Sequence, residues 1–131
     1  MKQNHFKLYK TVVQDHLDDL QHVNNVVYLE WVQEAALAHW KHLTKNQTQN
    51  FGLWVVRSHQ ITYKHPAQLG DSLLIETFVK QTKGVLSERI VTIYLEKTQT
   101  QLANCSTQWC YLDADTLKPT PIPASVAELF S

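Results

Sequence analysis

The segment from Asn24 to Leu43 constrains this chain most, because it holds no glycine or proline and is apolar over most of a helical wheel. Tyr28, Leu29, Val32, Ala35, Ala36, Trp40 and Leu43 recur at helical spacing and form one stripe. Val26, Val27, Trp31, Leu37 and Ala38 add apolar surface on other sides. Such a helix is expected to be buried widely, with something wrapped around it. Asn24 or Asn25 is the expected N-cap, since a short side-chain oxygen there accepts an otherwise orphaned backbone N–H.

The rest of the chain supplies the wrapping. Residues 5–14 read as a strand, with Phe6, Leu8 and Val12 on one side and Tyr9, Thr11 and Val13 on the other. After the helix and a polar loop, Leu53 to Lys64 is rich in Trp, Val, Ile, Thr and Tyr, and Pro66 ends it. Ser72 to Gln81, Leu86 to Glu96 and Gln101 to Leu112 follow, joined by short polar connections at Thr82–Gly84 and Lys97–Thr100. These three runs predict an antiparallel meander. The tail, with Pro119, Pro121 and Pro123, reads as extended, with one helical turn between Ser125 and Phe130. A strand, a long apolar helix and four strands predict an α+β fold, one five-stranded antiparallel sheet curled around one helix. The sheet's free edges predict pairing in a homo-oligomer.

Composition narrows the function classes. The 131 residues suit one domain spanning the whole chain, 1–131, and 44% hydrophobic with 18% charged residues suits a globular protein. Twelve basic residues balance twelve acidic ones, which removes the broad positive field of a nonspecific nucleic-acid binder or an anionic-membrane binder. No apolar run approaches the ~20 residues of a transmembrane helix, and the first residues show no signal-peptide core. Cys105 and Cys110 fall in one strand about 17 Å apart, beyond disulfide reach, so two reduced thiols and a cytoplasmic setting are expected. His39 and His42 have no third ligand at compatible spacing, so neither a metal nor a cofactor is expected. Arg57, Lys64, Lys80, Lys83 and Arg89 are scattered cations of the kind that meet phosphates or simply solvate a surface.

The chemically dense stretch is Asp15 to Leu29, which joins the first strand to the helix. Asp and Asn before a helix are ordinary capping residues, and Asp15, Asp18 and Asp19 also suit a solvated loop. The same arrangement suits acyl transfer. A helix start offers unpaired N–H groups and partial positive charge to a developing oxyanion, and a carboxylate beside it can act as base or nucleophile.

Asp18, His22, Val23, Asn24, Asn25, Tyr28 and Leu29 form the pattern Asp-x-x-x-His-Val-Asn-Asn-x-x-Tyr-Leu. A second run, Ile61-Thr62-Tyr63-Lys64-His65-Pro66-Ala67, precedes Leu69-Gly70-Asp71. Both resemble the hotdog-fold acyl-CoA thioesterases of the 4-hydroxybenzoyl-CoA thioesterase type, and His16-Leu17-Asp18 resembles their bacterial long-chain branch. The resemblance implies a hotdog fold and hydrolysis of acyl-CoA in fatty acid metabolism, with medium- to long-chain fatty acyl groups favoured. It puts the catalytic carboxylate on Asp18, as general base or nucleophile, and the oxyanion donor on the backbone N–H near Asn25. His22 and Asn24 would position the loop or water. Tyr28, Val26, Val27, Trp31 and Trp54 would line an acyl tunnel at the interface of a homodimer or homotetramer. The chain departs from its relatives at Glu34-Ala35-Ala36, where many carry Glu-Ala-Arg, which leaves Glu34 without an evident partner. Two rivals share the fold: a noncatalytic module that binds acyl-CoA or acyl carrier protein, and a hydratase or dehydratase using His22.

Overall fold

The computed structural model describes residues 3–131. Its elements are β1 (Phe6–Thr11), α1 (Asn25–Thr44), β2 (Leu53–Tyr63), β3 (Ser72–Lys83), β4 (Leu86–Leu95), β5 (Thr100–Leu112) and the short α2 (Ala124–Ala127). All five strands form one antiparallel sheet in the order β1-β3-β4-β5-β2. The meander β3-β4-β5 is present as expected. β1 and β2 flank it on opposite edges, so the chain must cross the whole sheet between them, and α1 makes that crossing. Gly84, at φ +61°, takes the first position of the two-residue β3–β4 turn, where a type II′ hairpin requires positive φ.

Three register shifts curl the sheet: Arg57 in β2, Lys80 in β3 and Leu102 in β5 are each an extra residue against the neighbouring strand. A bulge bends its strand and increases local twist, which lets a flat ladder close around a helix. Leu73, Ile75, Val91 and Ile93 point inward from β3 and β4 and are essentially unexposed. Each such side chain contributes about 1.5–3 kcal/mol on burial. With Tyr28, Trp31, Val32 and Ala35 they form a core under the first half of α1. A second core under its last turns joins Val79, Tyr111, Val126 and Phe130, with Trp40, Leu43, Phe51 and Trp54 packed against it.

The expectation that α1 is buried widely holds on one side only. Tyr28, Trp31, Val32, Ala35, Ala36 and His39 are its buried residues. Val26 is 60% and Leu37 53% exposed, so an apolar face remains open in a single chain. The sheet is wide enough to cover one side of the cylinder and no more. At the far edge of the molecule, the Asn4 N–H donates to the Phe130 carbonyl at 2.9 Å, which ties the strand preceding α1 to the last turn.

Candidate active site

The loop between β1 and α1 is built by short-range hydrogen bonds. A 3-10 turn at Gln14–His16 is closed by the Val13 N–H, which donates to His16 Nδ1 at 3.0 Å. Leu17 and Val23 then pair as an isolated bridge, and the residues between them form a tight loop. The Asp18 N–H donates to the His22 carbonyl at 2.8 Å. In return Asp18 Oδ1 accepts the N–H groups of Leu20 at 2.9 Å and His22 at 3.1 Å. Asp18 Oδ2 has no protein donor among the described residues. The carboxylate is therefore oriented through one oxygen and free at the other.

Asn24 is the N-cap. Its Oδ1 accepts the Val26 N–H at 3.0 Å and its carbonyl accepts the Val27 N–H at 2.9 Å. Its own N–H is used on the His16 carbonyl, at 2.9 Å. The Asn25 N–H is the first of the helix and meets no acceptor among the described residues. The helix dipole concentrates partial positive charge at this group.

Asp18 and Asn25 both line one cleft of about 370 Å³, together with His22, Val23, Tyr28, Tyr63, Lys64, His65 and Pro66. The second wall is the end of β2 and the loop after it, held against the helix by Ala67. The Ala67 carbonyl accepts the Val23 N–H at 3.1 Å, and its N–H donates to the Tyr28 hydroxyl at 3.0 Å. Tyr63 reaches across the rim, donating its hydroxyl to the Asn25 carbonyl at 3.3 Å. Burial pushes the Tyr28 phenol above its ordinary pKa, so it stays neutral and free to donate.

The cleft thus gathers Asp18, His22, Asn25 and Tyr28 of the residues expected from sequence. Asn24 stands directly behind it, engaged in capping. Val27 and Trp31 lie in the core, and the His16 and Trp31 rings stand nearly perpendicular with their centres 5.1 Å apart. Val26 is on the open face of α1, and Trp54 lies at the other end of the helix among Trp40, Tyr111 and Phe130. Neither borders the cleft within one chain. Tyr63, Lys64, His65 and Pro66 border it without having been singled out as site residues, although their motif was legible; Lys64 Nζ donates to Gln101 at 2.9 Å. Glu34 is half exposed and pairs with Lys10 of β1 at 2.7 Å, which supplies the partner the sequence left open.

Other chemistry-bearing groups are placed elsewhere. His59 Nδ1 lies 3.9 Å from Cys105 Sγ, but that thiol is buried and burial raises its pKa, so it stays protonated. No cluster of three or more metal-ligating side chains occurs among the described residues. Nor is any helix among them long and apolar enough to cross a membrane. Arg89 is 4% exposed and faces the helix, which removes it from the cations available to a phosphate at the surface.

With this geometry established, comparison with known proteins is specific. The family model of the thioesterase-like superfamily matches residues 12–130. The long-chain acyl-CoA thioesterase FadM of Escherichia coli (strain K12) is 30% identical over 118 residues, covering 86% of this chain and 87% of that protein. The structure is similar to that of YbaW, a probable thioesterase from Escherichia coli, with a TM-score of 0.81 at 27% identity and 94% of each chain covered. The same fold recurs in a Staphylococcus aureus protein in complex with CoA, with a TM-score of 0.81 at 15% identity, covering 98% of this chain and 83% of that one. The open β sheet with its single crossing helix is the hotdog fold, and the chain belongs to the thioesterase-like superfamily as a thioester hydrolase.

Proposed function

We propose that this chain hydrolyses acyl-CoA thioesters to free acid and CoA, with Asp18 as the catalytic carboxylate. One observation carries the reading: a carboxylate with one oxygen pinned and one free shares a cleft with the unpaired N–H of Asn25. The thioester carbonyl oxygen sits on the Asn25 N–H, which stabilises the charge that develops as the carbon becomes tetrahedral. A lost donor of this kind costs about 3–4 kcal/mol in comparable sites. Asp18 Oδ2 either takes the proton from an attacking water or attacks the carbon itself to form a mixed anhydride. In both routes the C–S bond breaks, CoA leaves as the thiol after gaining a proton, and water supplies the acid's second oxygen. His22 and Asn24 hold the loop that presents Asp18.

The relative's name as a long-chain acyl-CoA thioesterase favours medium- to long-chain fatty acyl substrates here, and the free thiols of Cys105 and Cys110 favour a cytoplasmic setting. Acyl-carrier-protein thioesters offer the same reacting atoms and are the alternative carrier. The exposed apolar side chains of the β2 edge, Leu53 at 47% and Val55 at 43%, favour a homodimer or homotetramer. In that assembly the open face of α1, with Val26 on it, completes the acyl tunnel.

The test is thiol release from acyl-CoAs of graded chain length and aromaticity. Turnover that peaks at medium or long chains and collapses in Asp18→Asn supports the reading. Turnover unchanged by that substitution refutes the role of Asp18, and no turnover on any acyl-CoA points to acyl-carrier-protein thioesters as the substrate or to the binding-module reading.

A further inference from the structure

Arg89 stands on β4 with its guanidinium under the second half of α1, deep in the fold. Its Nη1 donates to His39 Nδ1 at 2.9 Å and to Thr77 Oγ1 at 3.0 Å, and its Cζ lies 5.7 Å from the Phe130 ring centre. None of these partners carries negative charge. Because arginine always donates, His39 Nδ1 must be the acceptor, and His39 Nε2–H is left to donate to Asn4 Oδ1 at 3.2 Å. The imidazole is therefore neutral. Burial lowers the Arg89 pKa to about 10, so the guanidinium is still charged at neutral pH. The two ion pairs among the described residues are His5–Glu76 and Lys10–Glu34, and neither involves it.

A buried cation without a counter-ion is costly, and folds normally supply a carboxylate to meet it. Here the guanidinium instead borders a cavity of about 250 Å³ with Ser87, Trp40, Trp54, Trp109 and Phe130. Arg89 Nε–H and the Nη2 hydrogens have no acceptor among the described residues. Trp54 and Trp109 line the same cavity with their rings, while their indole N–H groups are buried away from it. The cavity is thus walled by aromatic rings, with one uncompensated positive charge at its border. From the helix start to Ala36 and Trp40, which border it, is about 16–22 Å along α1, so it is distinct from the Asp18 cleft.

We propose that this cavity is a binding site for a small monocarboxylate with a flat or compact apolar body, its carboxylate on Arg89 and its body among the tryptophans. The chemistry selects that class. A guanidinium fork matches a carboxylate in bidentate geometry, and a single negative charge balances a single cation. A phosphate dianion would bring a second charge into an apolar space that has nothing to meet it. The volume is below that of drug-sized sites, which limits the ligand to about the size of a substituted arene or a short acid. The inference does not depend on the hydrolytic reading of the Asp18 cleft.

The experiment titrates the full chain with benzoate, phenylacetate and hexanoate, each against its neutral amide, and follows tryptophan fluorescence and the melting temperature. Three of the lining residues are tryptophans, so occupancy reports directly. The expected result is saturable binding of at least one acid, with a rise in melting temperature, and at least about tenfold weaker binding of its amide. Arg89→Gln is expected to weaken acid binding at least about tenfold, with Arg89→Lys intermediate because it keeps charge and loses the fork. Ala36→Leu, which fills the cavity and leaves Arg89 in place, is expected to abolish it. The acid-against-amide comparison on the unaltered protein decides the matter even where a variant fails to fold. Equal binding of acid and amide overturns the proposal, as does binding that survives Arg89→Gln in a folded protein. Absence of binding by all three acids also overturns it, including the case in which a carboxylate of a second copy already occupies Arg89.

Discussion

Asp18 and His22 are bonded to each other in both directions. The Asp18 N–H donates to the His22 carbonyl at 2.8 Å, and Asp18 Oδ1 accepts the His22 N–H at 3.1 Å. The aspartate therefore shapes the loop with one oxygen and leaves the other for chemistry. Asparagine can keep the shaping role through its carbonyl oxygen and loses the charge. Asp18→Asn is expected to melt close to wild type while thiol release falls about 10²–10⁴-fold. Asp18→Ala, which also loses the loop contacts, is expected to lower the melting temperature as well. Calorimetry beside steady-state kinetics separates the two effects.

Tyr28 is a structural pin of the same cleft. Removing its hydroxyl leaves the Ala67 N–H buried and unpaired, since Ala67 is fully enclosed. Tyr28→Phe is expected to cost about 1–3 kcal/mol. A reduced urea midpoint at unchanged slope is the corresponding observation, because the ring and its contact with Trp31 are retained.

His39 makes stability depend on pH in a defined direction. Burial first, and the Arg89 charge second, lower its pKa from 6.5 to about 3. Between those values the unfolded chain binds a proton that the folded chain does not. Its stabilising contribution is complete above the unfolded pKa and is lost as pH falls towards the folded one. The slope in that window is up to about 1.4 kcal/mol per pH unit. Replacing it by His39→Gln is expected to flatten the wild-type profile between pH 6.5 and 3, as read from urea midpoints across that range.

Gly52 sits where β2 begins, and its N–H donates to the Tyr111 hydroxyl at 2.6 Å. A methyl group there would collide with the Leu112 carbonyl and lie 2.8 Å from the Tyr111 ring. Backbone cannot yield as a side-chain tip does. Gly52→Ala is expected to destabilise by about 1–3 kcal/mol or more. Its signature is loss of melting temperature with a broadened signal from the neighbouring Trp54, which packs 4.7 Å from Tyr111.

The sequence and the structure agree best where local pattern decides. The helix expected from Asn24 to Leu43 runs from Asn25 to Thr44, and Asn24 caps it, because apolar spacing and capping chemistry act over a few residues. Strand order is another matter. Nothing local says that Leu53–Tyr63 pairs with the last strand at the edge opposite β1, since that choice is made by how α1 crosses the sheet. The cleft residues Asp18, His22, Asn25 and Tyr28 were legible because they sit on one continuous segment. Its second wall comes from Tyr63 to Pro66, brought there by tertiary packing. Arg89 illustrates a signal that was present and passed over. Ser87, Arg89, Val91 and Ile93 alternate inward along β4, so a cation in that register was bound to be buried.

The hydrogen bond between Asn4 and Phe130 closes the fold into a circuit in space, though not in covalent bonds. Residues far apart in the chain meet there with one hydrogen bond between them, and a short bridging peptide could join them without disturbing a ladder. The exposed turn at Lys97–Gln99 offers the complementary place to cut. A circular permutant opened there would keep α1, all five strands and the Asp18 loop in their present surroundings. It would exchange the one hairpin that β4 and β5 share for a connection between β1 and the last turn.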